Sequence, residues 1–421
     1  MLVTIFIFFA LATSLWPIIF SIYHVRQPSI NPISLEFIFN FPVLVATIFI
    51  GPIFIINDYQ NNSGYCYALI ATVVQNFSLY FGTIFFFIIS RFLKIEKIFK
   101  KNKASISRSR LLYAEKIFII IYIFSFYFLS SAEFGFFNWI TQPRLGYQLY
   151  RSGQGHWYAI CLSSLSAAIT CRYFSYEINP KILKILFFYV PLAFLLGSKA
   201  YLLSIFVFSL ISIWFYNPRR VNLLLMVMLP ASFLVMIVNF FHVDDEFSLI
   251  ELFKYFDYYK NAADYYSGYI NNEIQLFNGS LVYSSLWEYI PRSIYPDKPY
   301  IYGGVLVADI FYPGAAMAGH TPAFGGGVLQ FADFGWLGLV LLNFLSAKSF
   351  FMGVGSYLIF SCNLINVSRI NIIGMALILL NFSPQFGIFF PGIYYFIVLI
   401  LALGIIKIFQ KKSACPLRLT C

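Results

Sequence analysis

Apolar runs of about 20 residues recur along almost the whole chain, and they restrict its fold more than any other feature. The first is MLVTIFIFFALATSLWPIIF, and similar runs follow up to residue 408. A helix of about 20 apolar residues can cross the hydrocarbon core of a bilayer. Of the 421 residues, 60% are hydrophobic and 11% are charged, whereas soluble domains carry about 25% charged residues. The sequence therefore predicts an all-α, polytopic membrane protein.

We predict eleven transmembrane helices, within a range of ten to twelve. The expected spans are 2–23, 33–56, 67–90, 117–134, 156–175, 183–197, 200–216, 221–241, 334–359, 370–384 and 392–408. The first run is not preceded by basic residues and is long enough to span, so we interpret it as a membrane helix and not as a signal peptide. The apolar run over 183–216 is broken only by GSK at 197–199, where a turn would divide it into two short spans.

The positive charge is concentrated in one segment. Nine of the 28 Lys and Arg residues lie in 91–116, and basic loops between spans are normally retained in the cytoplasm. We therefore interpret 91–116 as a basic cytoplasmic loop. The net charge of +11 is then a topology signal, and no nucleic-acid partner is expected. Alternation through eleven spans places the N-terminus outside and the C-terminus inside.

One long segment, 242–333, falls on the outer side in this topology. It contains 11 of the 17 acidic residues but only four of the 28 basic ones, as expected for an extracytoplasmic loop. Its many Tyr, Phe and Trp residues indicate that it packs into an ordered structure. We interpret residues 1–421 as a single membrane domain that is covered on the outside by this large loop.

Within the large loop, IPRSIYPDKP presents two cations on a stiff backbone. Three prolines in ten residues fix φ and restrict the residue before each of them. Arg292 and Lys298 are thus positioned to bind an anionic, lipid-borne group such as a pyrophosphate, since Arg grips phosphate in a bidentate way and Lys acts as a point charge. The alternative is that both cations pair with Asp297, Glu288 or lipid headgroups.

Further cations lie on the predicted outer face, where the positive-inside bias disfavours them. Arg144 and Arg151 belong to the connection between the fourth and fifth spans, and Lys199 belongs to GSK. A cation at the edge of a membrane is costly and is by default a candidate for function. We add these three residues to the candidate pyrophosphate site.

Three residues are candidates for a general base. His320 is one of only four histidines, and an imidazole titrates near neutral pH. It lies in the glycine-rich stretch GHTPAFGGG, and Asp309 and Asp333 are the competing candidates. The six cysteines contain no C-x-x-C pair, and no Walker, zinc-ligand or G-x-S-x-G motif is present. We therefore expect neither a metal nor a cofactor.

The combination of many spans, one large late outer loop, IPRSIYPDKP and TPAFGGGVLQFADFGWLG resembles the Wzy-type O-antigen polymerases, also called oligosaccharide repeat-unit polymerases. LLGSKAYLL is similar to a short Gly-Ser-basic signature of the same family. The resemblance covers the general architecture and three short motifs, mainly within 190–340.

The resemblance implies a GT-C-like glycosyltransferase of the bacterial inner membrane that works on the periplasmic side without a metal. Its donor and acceptor would be oligosaccharides linked to undecaprenyl pyrophosphate, and a chain-length regulator and a flippase would act in the same pathway. Arg292, Lys298, Lys199 and Arg151 would hold the donor pyrophosphate. His320, Asp309 or Asp333 would deprotonate the acceptor hydroxyl.

Two other functions remain open at this stage. An O-antigen ligase, which transfers glycan to the lipid A core, would share the architecture and the cations of the outer loop. A lipid-linked oligosaccharide flippase would be a transporter, but it should have short loops throughout. The length of 242–333 therefore favours an enzyme over a flippase.

Overall fold

The structure is a computed structural model that describes residues 63–99, 106–132, 134–149, 154–176, 182–198, 258–290, 292, 294–314 and 324–362, with a few isolated residues between 201 and 404. The described chain is mostly helical. One antiparallel pair of two-residue strands, β1 (Ile365–Asn366) and β2 (Arg369–Ile370), is the exception. The prediction of a helical protein is confirmed at this level.

The α-helices in chain order are α1 (Ser63–Phe92), α2 (Glu96–Phe99), α3 (Arg108–Ser131), α4 (Phe136–Thr141), α5 (Pro143–Leu149), α6 (Gly155–Phe174), α7 (Ile182–Phe194), α8 (Tyr258–Ile270), α9 (Ser280–Ser284), α10 (Val305–Phe311), α11 (Val328–Phe344) and α12 (Ala347–Cys362). A 3-10 turn, Ser285–Tyr289, follows α9 directly.

Three stretches of the described chain are long and apolar enough to cross a membrane: Ser63–Phe92, Arg108–Ser131 and Val328–Gly355. They coincide with the predicted spans 67–90, 117–134 and 334–359. Helices α6 and α7 occupy the predicted spans 156–175 and 183–197. The remaining spans lie wholly or largely outside the described residues, so the total of eleven and the side of each loop stay predictions.

The chain divides into two compact units. The first contains α1 and the chain from α8 through most of α12, and the second contains α2 to α7. In the first unit, α1 packs against both α8 and α11. Aromatic side chains fill the space between them. The ring centres of Tyr266 and Phe331 are 4.9 Å apart, and those of Phe331 and Trp336 are 5.2 Å apart. The interpretation of 1–421 as one domain stays a prediction.

Gly64→Ala is expected to lower the free energy of unfolding by about 1–3 kcal/mol, the usual cost of overpacking. A methyl group at Gly64 would lie 2.1 Å from the carbonyl oxygen of Ala263 and 2.8 Å from the backbone nitrogen of Ser267. Backbone atoms cannot rotate away, so α1 and α8 would have to separate. Gly155→Ala is the matched control, because a methyl group there has no neighbour within 4 Å. Equal thermal unfolding midpoints for the two variants in detergent would contradict this close packing.

In the second unit, α3 and α6 pack along each other. The segment SSLSAAITC, at 163–171 of the facing helix α6, is rich in Ser, Ala, Thr and Cys. Such small residues allow two helices to approach closely. α3 begins at Arg108, inside the segment predicted as a basic loop, and α2 occupies Glu96–Phe99. The segment 91–116 is therefore partly helical. Its cytoplasmic position stays a prediction.

Helix α11 is broken near its start, where the predicted span 334–359 begins. Gly335 has φ 62° and ψ −145°, a conformation that favours glycine, and Phe334 also departs from helical geometry. Such a break deprives the preceding carbonyl groups of their helical N–H partners. The carbonyl oxygens of Ala332 and Asp333 instead accept N–H groups from residues 277 and 278, at 2.9 and 3.0 Å.

The Asp333 side chain completes this contact and is fully buried. Its Oδ1 accepts the backbone N–H groups of Gly279 at 2.8 Å and Leu281 at 3.1 Å, and its Oδ2 accepts that of Val282 at 2.8 Å. We call Ala332, Asp333 and segment 277–282 the Asp333 clamp. Hydrogen bonds to an ionised carboxylate are among the stronger ones. The clamp fastens the start of α9 to α11 and so positions the loop that follows.

Candidate functional site

The guanidinium group of Arg292 is bound within its own loop. Its Nη1 donates to the carbonyl oxygens of Lys298 at 2.5 Å and Pro296 at 3.2 Å, and its Nη2 donates to that of Pro299 at 3.2 Å. Its central carbon also lies 3.9 Å from the centre of the Tyr300 ring. A guanidinium has five N–H groups, so two remain without a partner among the described residues. The stiffness that the prolines predict is therefore reinforced by Arg292 itself.

Lys298 belongs to the same loop, and the residue is buried, with only 8% of its surface exposed. Its Nζ donates to the carbonyl oxygen of Ile290 at 3.0 Å and lies 4.5 Å from the centre of the Tyr302 ring. Burial, followed by the charge of Arg292, lowers the pKa of Lys298 to about 8, and Glu288 acts in the opposite direction. A bound anion would raise this pKa again, because an opposite charge favours the protonated form.

From the sequence, Glu288 was only a possible ion-pair partner of Arg292 and Lys298, and it was not a candidate for the general base. It lies on the 3-10 turn just before the loop, and burial raises its pKa to about 7 against the opposing effect of Lys298. Within the described chain, neither Glu288 nor Asp297 approaches Arg292 or Lys298 to within 4.0 Å as an ion pair. Among the described residues the two cations thus form no ion pair with Asp297 or Glu288, and pairing with lipid headgroups stays an alternative to the anion site.

Two of the three candidate bases lie in the described chain. Asp309 is half-buried on α10, and its Oδ1 accepts the backbone N–H of Gly314 at 3.1 Å. Asp333 lies in the clamp, where both of its oxygens accept backbone N–H groups. His320 lies outside the described residues. The role of each as a base stays a prediction.

Arg144 belongs to the second unit, where its guanidinium carbon lies 5.1 Å from the centre of the Tyr147 ring on α5. The turn after α7 packs against this helix. A Cβ added to Gly197 would lie 2.1 Å from the carbonyl oxygen of Pro143 and 2.7 Å from the Cβ of Tyr147, and Gly197 has φ 66°. Both facts explain the glycine of GSK. They also bring the helix of Arg144 next to this turn.

The structure therefore brings together Arg292, Lys298 and Glu288 in one loop of the first unit. Arg144 is described only within the second unit. Lys199 and Arg151 lie outside the described residues. Two of the three glycines of the GGG motif have a structural reason: Gly326 and Gly327 both adopt positive φ.

Comparison with known proteins gives relatives among the curated sequences. Two of them, each named O-antigen polymerase, from Salmonella typhimurium and Salmonella typhi, are each 29% identical over 276 residues, which cover 62% of this chain and 66% of each relative. No protein-family profile and no solved structure matches the chain. The resemblance expected from the motifs is thereby confirmed: this chain is similar in sequence to two curated O-antigen polymerases.

Proposed function

We propose that this chain is a glycosyltransferase of the bacterial inner membrane that polymerises oligosaccharide repeat units into O-antigen or a similar surface polysaccharide. The similarity to two curated O-antigen polymerases is the observation that supports this most directly. The long apolar helices support a position in the membrane. Donor and acceptor are carried on undecaprenyl pyrophosphate, and the reaction takes place on the periplasmic side without a metal.

The reaction joins two lipid-linked substrates. A hydroxyl oxygen at the non-reducing end of the acceptor unit attacks the anomeric carbon of the donor chain. The bond between that carbon and the pyrophosphate oxygen breaks, and the lipid pyrophosphate leaves with the electron pair. A base accepts the proton of the hydroxyl group. Cations that stabilise the leaving pyrophosphate lower the barrier, because negative charge develops there in the transition state.

Arg292 and Lys298 are the residues that we propose for this stabilisation. The loop fixes the Arg292 guanidinium through carbonyl groups and still leaves two of its N–H groups for phosphate oxygens. The buried Lys298 has a lowered pKa, and an adjacent pyrophosphate would favour its charged form. Both cations are thus held in place before the substrate binds, which avoids reorganisation during the reaction.

The other candidate residues remain part of the proposal. Arg144, Arg151 and Lys199 would extend the pyrophosphate site. His320, Asp309 or Asp333 would act as the base. A chain-length regulator and a flippase are the expected partners in the pathway.

Loss of the Arg292 guanidinium group or of the positive charge of Lys298 is expected to abolish the long glycan ladder on the cell surface. Cells that lack the gene should make lipid A cores with a single repeat unit, and wild-type protein should restore the ladder. Arg292→Lys and Lys298→Met should each reduce polymerisation by about 100-fold, the order of effect of losing one transition-state donor. Arg292→Lys keeps the charge but loses the bidentate geometry.

The controls separate this role from loop stability. Lys260→Met removes the charge of an exposed side chain on α8 and should leave the ladder intact. Membrane levels and thermal unfolding midpoints of all variants identify any that fail to fold. Polymer that accumulates on the lipid carrier in the deletion strain would indicate a ligase instead. A full ladder in a deletion strain without a second such gene would contradict both enzymes.

A further inference from the structure

The carboxyl group of Glu288 lacks the partners that a buried carboxyl group normally has. Its Oε2 is buried, and no described residue donates a hydrogen bond to it. The residue as a whole is half-buried, and of its two carboxyl oxygens only Oε2 is both fully buried and without a hydrogen-bond partner among the described residues. Most buried polar atoms in proteins have a hydrogen-bond partner, and an exception requires an explanation.

The surroundings of Glu288 hold the carboxyl group in place without satisfying it. The chain passes directly over it at Gly303, where an added Cβ would lie 3.3 Å from Oε1 and 3.0 Å from the Oγ of Ser285. Gly303 has φ 54° and donates its backbone N–H to the Oγ of Ser284 at 2.9 Å. The carboxyl group is therefore confined between the 3-10 turn and this backbone segment, and no residue in the described part of the chain donates a hydrogen bond to its buried Oε2.

The charged groups that face this carboxyl group are Lys298 and, beyond it, Arg292. Lys298 stabilises the carboxylate electrostatically, but its Nζ donates to the carbonyl oxygen of Ile290 and points to the Tyr302 ring. Burial raises the pKa of Glu288 to about 7 and lowers that of Lys298 to about 8. Near neutral pH the carboxyl group is therefore poised between its two forms, as an efficient general base should be.

We propose that Glu288 is the general base that accepts the proton of the acceptor sugar hydroxyl. The inference rests on the proposed function. The hydroxyl group donates its hydrogen bond to a carboxylate oxygen of Glu288, and its proton passes to that oxygen as the new bond to the anomeric carbon forms. The bond from that carbon to the pyrophosphate breaks, and the electron pair leaves with the pyrophosphate beside Lys298 and Arg292. The protonated Glu288 then returns its proton to water.

The geometry favours Glu288 over the described carboxylates that the sequence suggested. Asp333 already accepts three backbone N–H groups and is fully buried. Asp309 accepts one N–H group from its own exposed turn. Glu288 has a buried carboxyl oxygen that accepts no hydrogen bond from any described residue, a raised pKa, and Lys298 close enough to act on it electrostatically.

The test uses the full-length protein in proteoliposomes with lipid-linked repeat units extracted from cells that cannot polymerise them. Polymer formation is measured as a function of pH and acceptor concentration. For the wild type at subsaturating donor, where kcat/KM reports the groups of the free protein, we expect a bell-shaped profile: kcat/KM rises as Glu288 loses its proton near pH 7 and falls as Lys298 loses its proton near pH 8. The two apparent pKa values of such a profile belong to the coupled pair of groups and not to each residue alone.

Glu288→Gln should reduce kcat by about 100-fold to 10,000-fold, the range for loss of a general base, with little change in the KM for the acceptor. The acid limb should be absent from its residual activity. Asp297→Asn is the matched control: it removes an exposed carboxylate from the same loop and should keep both the rate and the acid limb.

The possible outcomes separate this inference from the proposed function. Wild-type protein that makes no polymer from intact lipid-linked units contradicts the proposed function. Wild-type polymerisation together with an undiminished rate and acid limb in Glu288→Gln overturns Glu288 as the base. Should Glu288→Gln fail to fold, Glu288→Asp provides the test. A displaced acid limb supports the role, and an unchanged one overturns it.

Discussion

Replacing Glu115 by alanine is expected to lower the free energy of unfolding by about 3 kcal/mol or more, because it leaves two donors without their acceptor. Glu115 is 1% exposed on α3. Its Oε1 accepts Nε–H of Arg172 from α6 at 2.7 Å and the hydroxyl group of Tyr189 from α7 at 2.5 Å. One carboxylate oxygen therefore joins three helices of the second unit.

The arginine and the tyrosine contribute differently to this loss. The Arg172 side chain is 36% exposed, so its charge can partly turn towards water or lipid headgroups when Glu115 is removed. The Tyr189 hydroxyl is buried among three helices, and an unsatisfied buried donor costs about 1–3 kcal/mol. Tyr189→Phe should cost about 1.5–3 kcal/mol, the value of one hydrogen bond to a charged group.

A double substitution separates the contribution of the ion pair to stability from that of side-chain packing. Glu115→Leu with Arg172→Met removes both charges, and it should recover much of the stability, since apolar replacement of a buried pair is often neutral. Lys116→Ala changes an exposed neighbour on the same helix and should shift stability by less than about 0.5 kcal/mol. Unfolding midpoints in one detergent compare all variants. A Glu115→Ala midpoint equal to that of Lys116→Ala would contradict the role of Glu115 in holding the three helices together.

The sequence located the membrane helices well because length and apolar composition are sufficient to define them. The predicted spans 67–90 and 334–359 fall on Ser63–Phe92 and Val328–Gly355. The break at Gly335 was not predicted, since a glycine in an apolar run is equally compatible with an unbroken helix. Its conformation depends on the carbonyl partners that segment 277–282 supplies.

The hydrogen bonds by which Glu115 joins α3, α6 and α7 were not predictable from the local sequence pattern. Glu115 lies in a stretch rich in Lys and Arg, which indicates a solvated loop. Its partners follow 57 and 74 residues later, so only the packing of α3, α6 and α7 brings them together. One acidic residue at the start of a predicted span was the available signal.

The candidate site was predicted in part. The prolines of IPRSIYPDKP predict a rigid presentation of Arg292 and Lys298, because proline restricts the backbone locally, and the structure adds three carbonyl groups of the same loop that hold Arg292. The path of the loop determines the rest: which carbonyl groups Arg292 binds, how deeply Lys298 is buried, and why Oε2 of Glu288 has no hydrogen-bond donor among the described residues. These features depend on how the chain from residue 284 to residue 303 folds back on itself, so no motif encodes them.

Asp333→Asn is expected to lower the free energy of unfolding by about 3 kcal/mol, because an amide cannot replace a carboxylate in the Asp333 clamp. The carboxylate accepts three backbone N–H groups through two oxygens. The amide of asparagine has one oxygen, and its NH₂ group would face a donor. Each hydrogen bond to a charged group contributes about 1.5–3 kcal/mol, and the relief of burying one charge offsets part of the loss.

Amide hydrogen exchange identifies where this stability is lost. In Asp333→Asn the N–H groups of Gly279, Leu281 and Val282 should exchange faster, whereas those of α3 and α6 should be unchanged. Asp309→Asn is the matched control, because Asp309 accepts a single N–H group from exposed Gly314 and should shift stability by less than about 0.5 kcal/mol.

The same variant separates a structural role of Asp333 from the catalytic role that the sequence suggested. A residue that only holds the clamp should affect polymerisation through the amount of folded protein, so activity per folded molecule should fall far less than the 100-fold or more expected for a lost base. If stability and exchange stay at their wild-type values while polymerisation stops, the clamp is not structural and Asp333 acts in the reaction. That result would also remove the main argument for preferring Glu288.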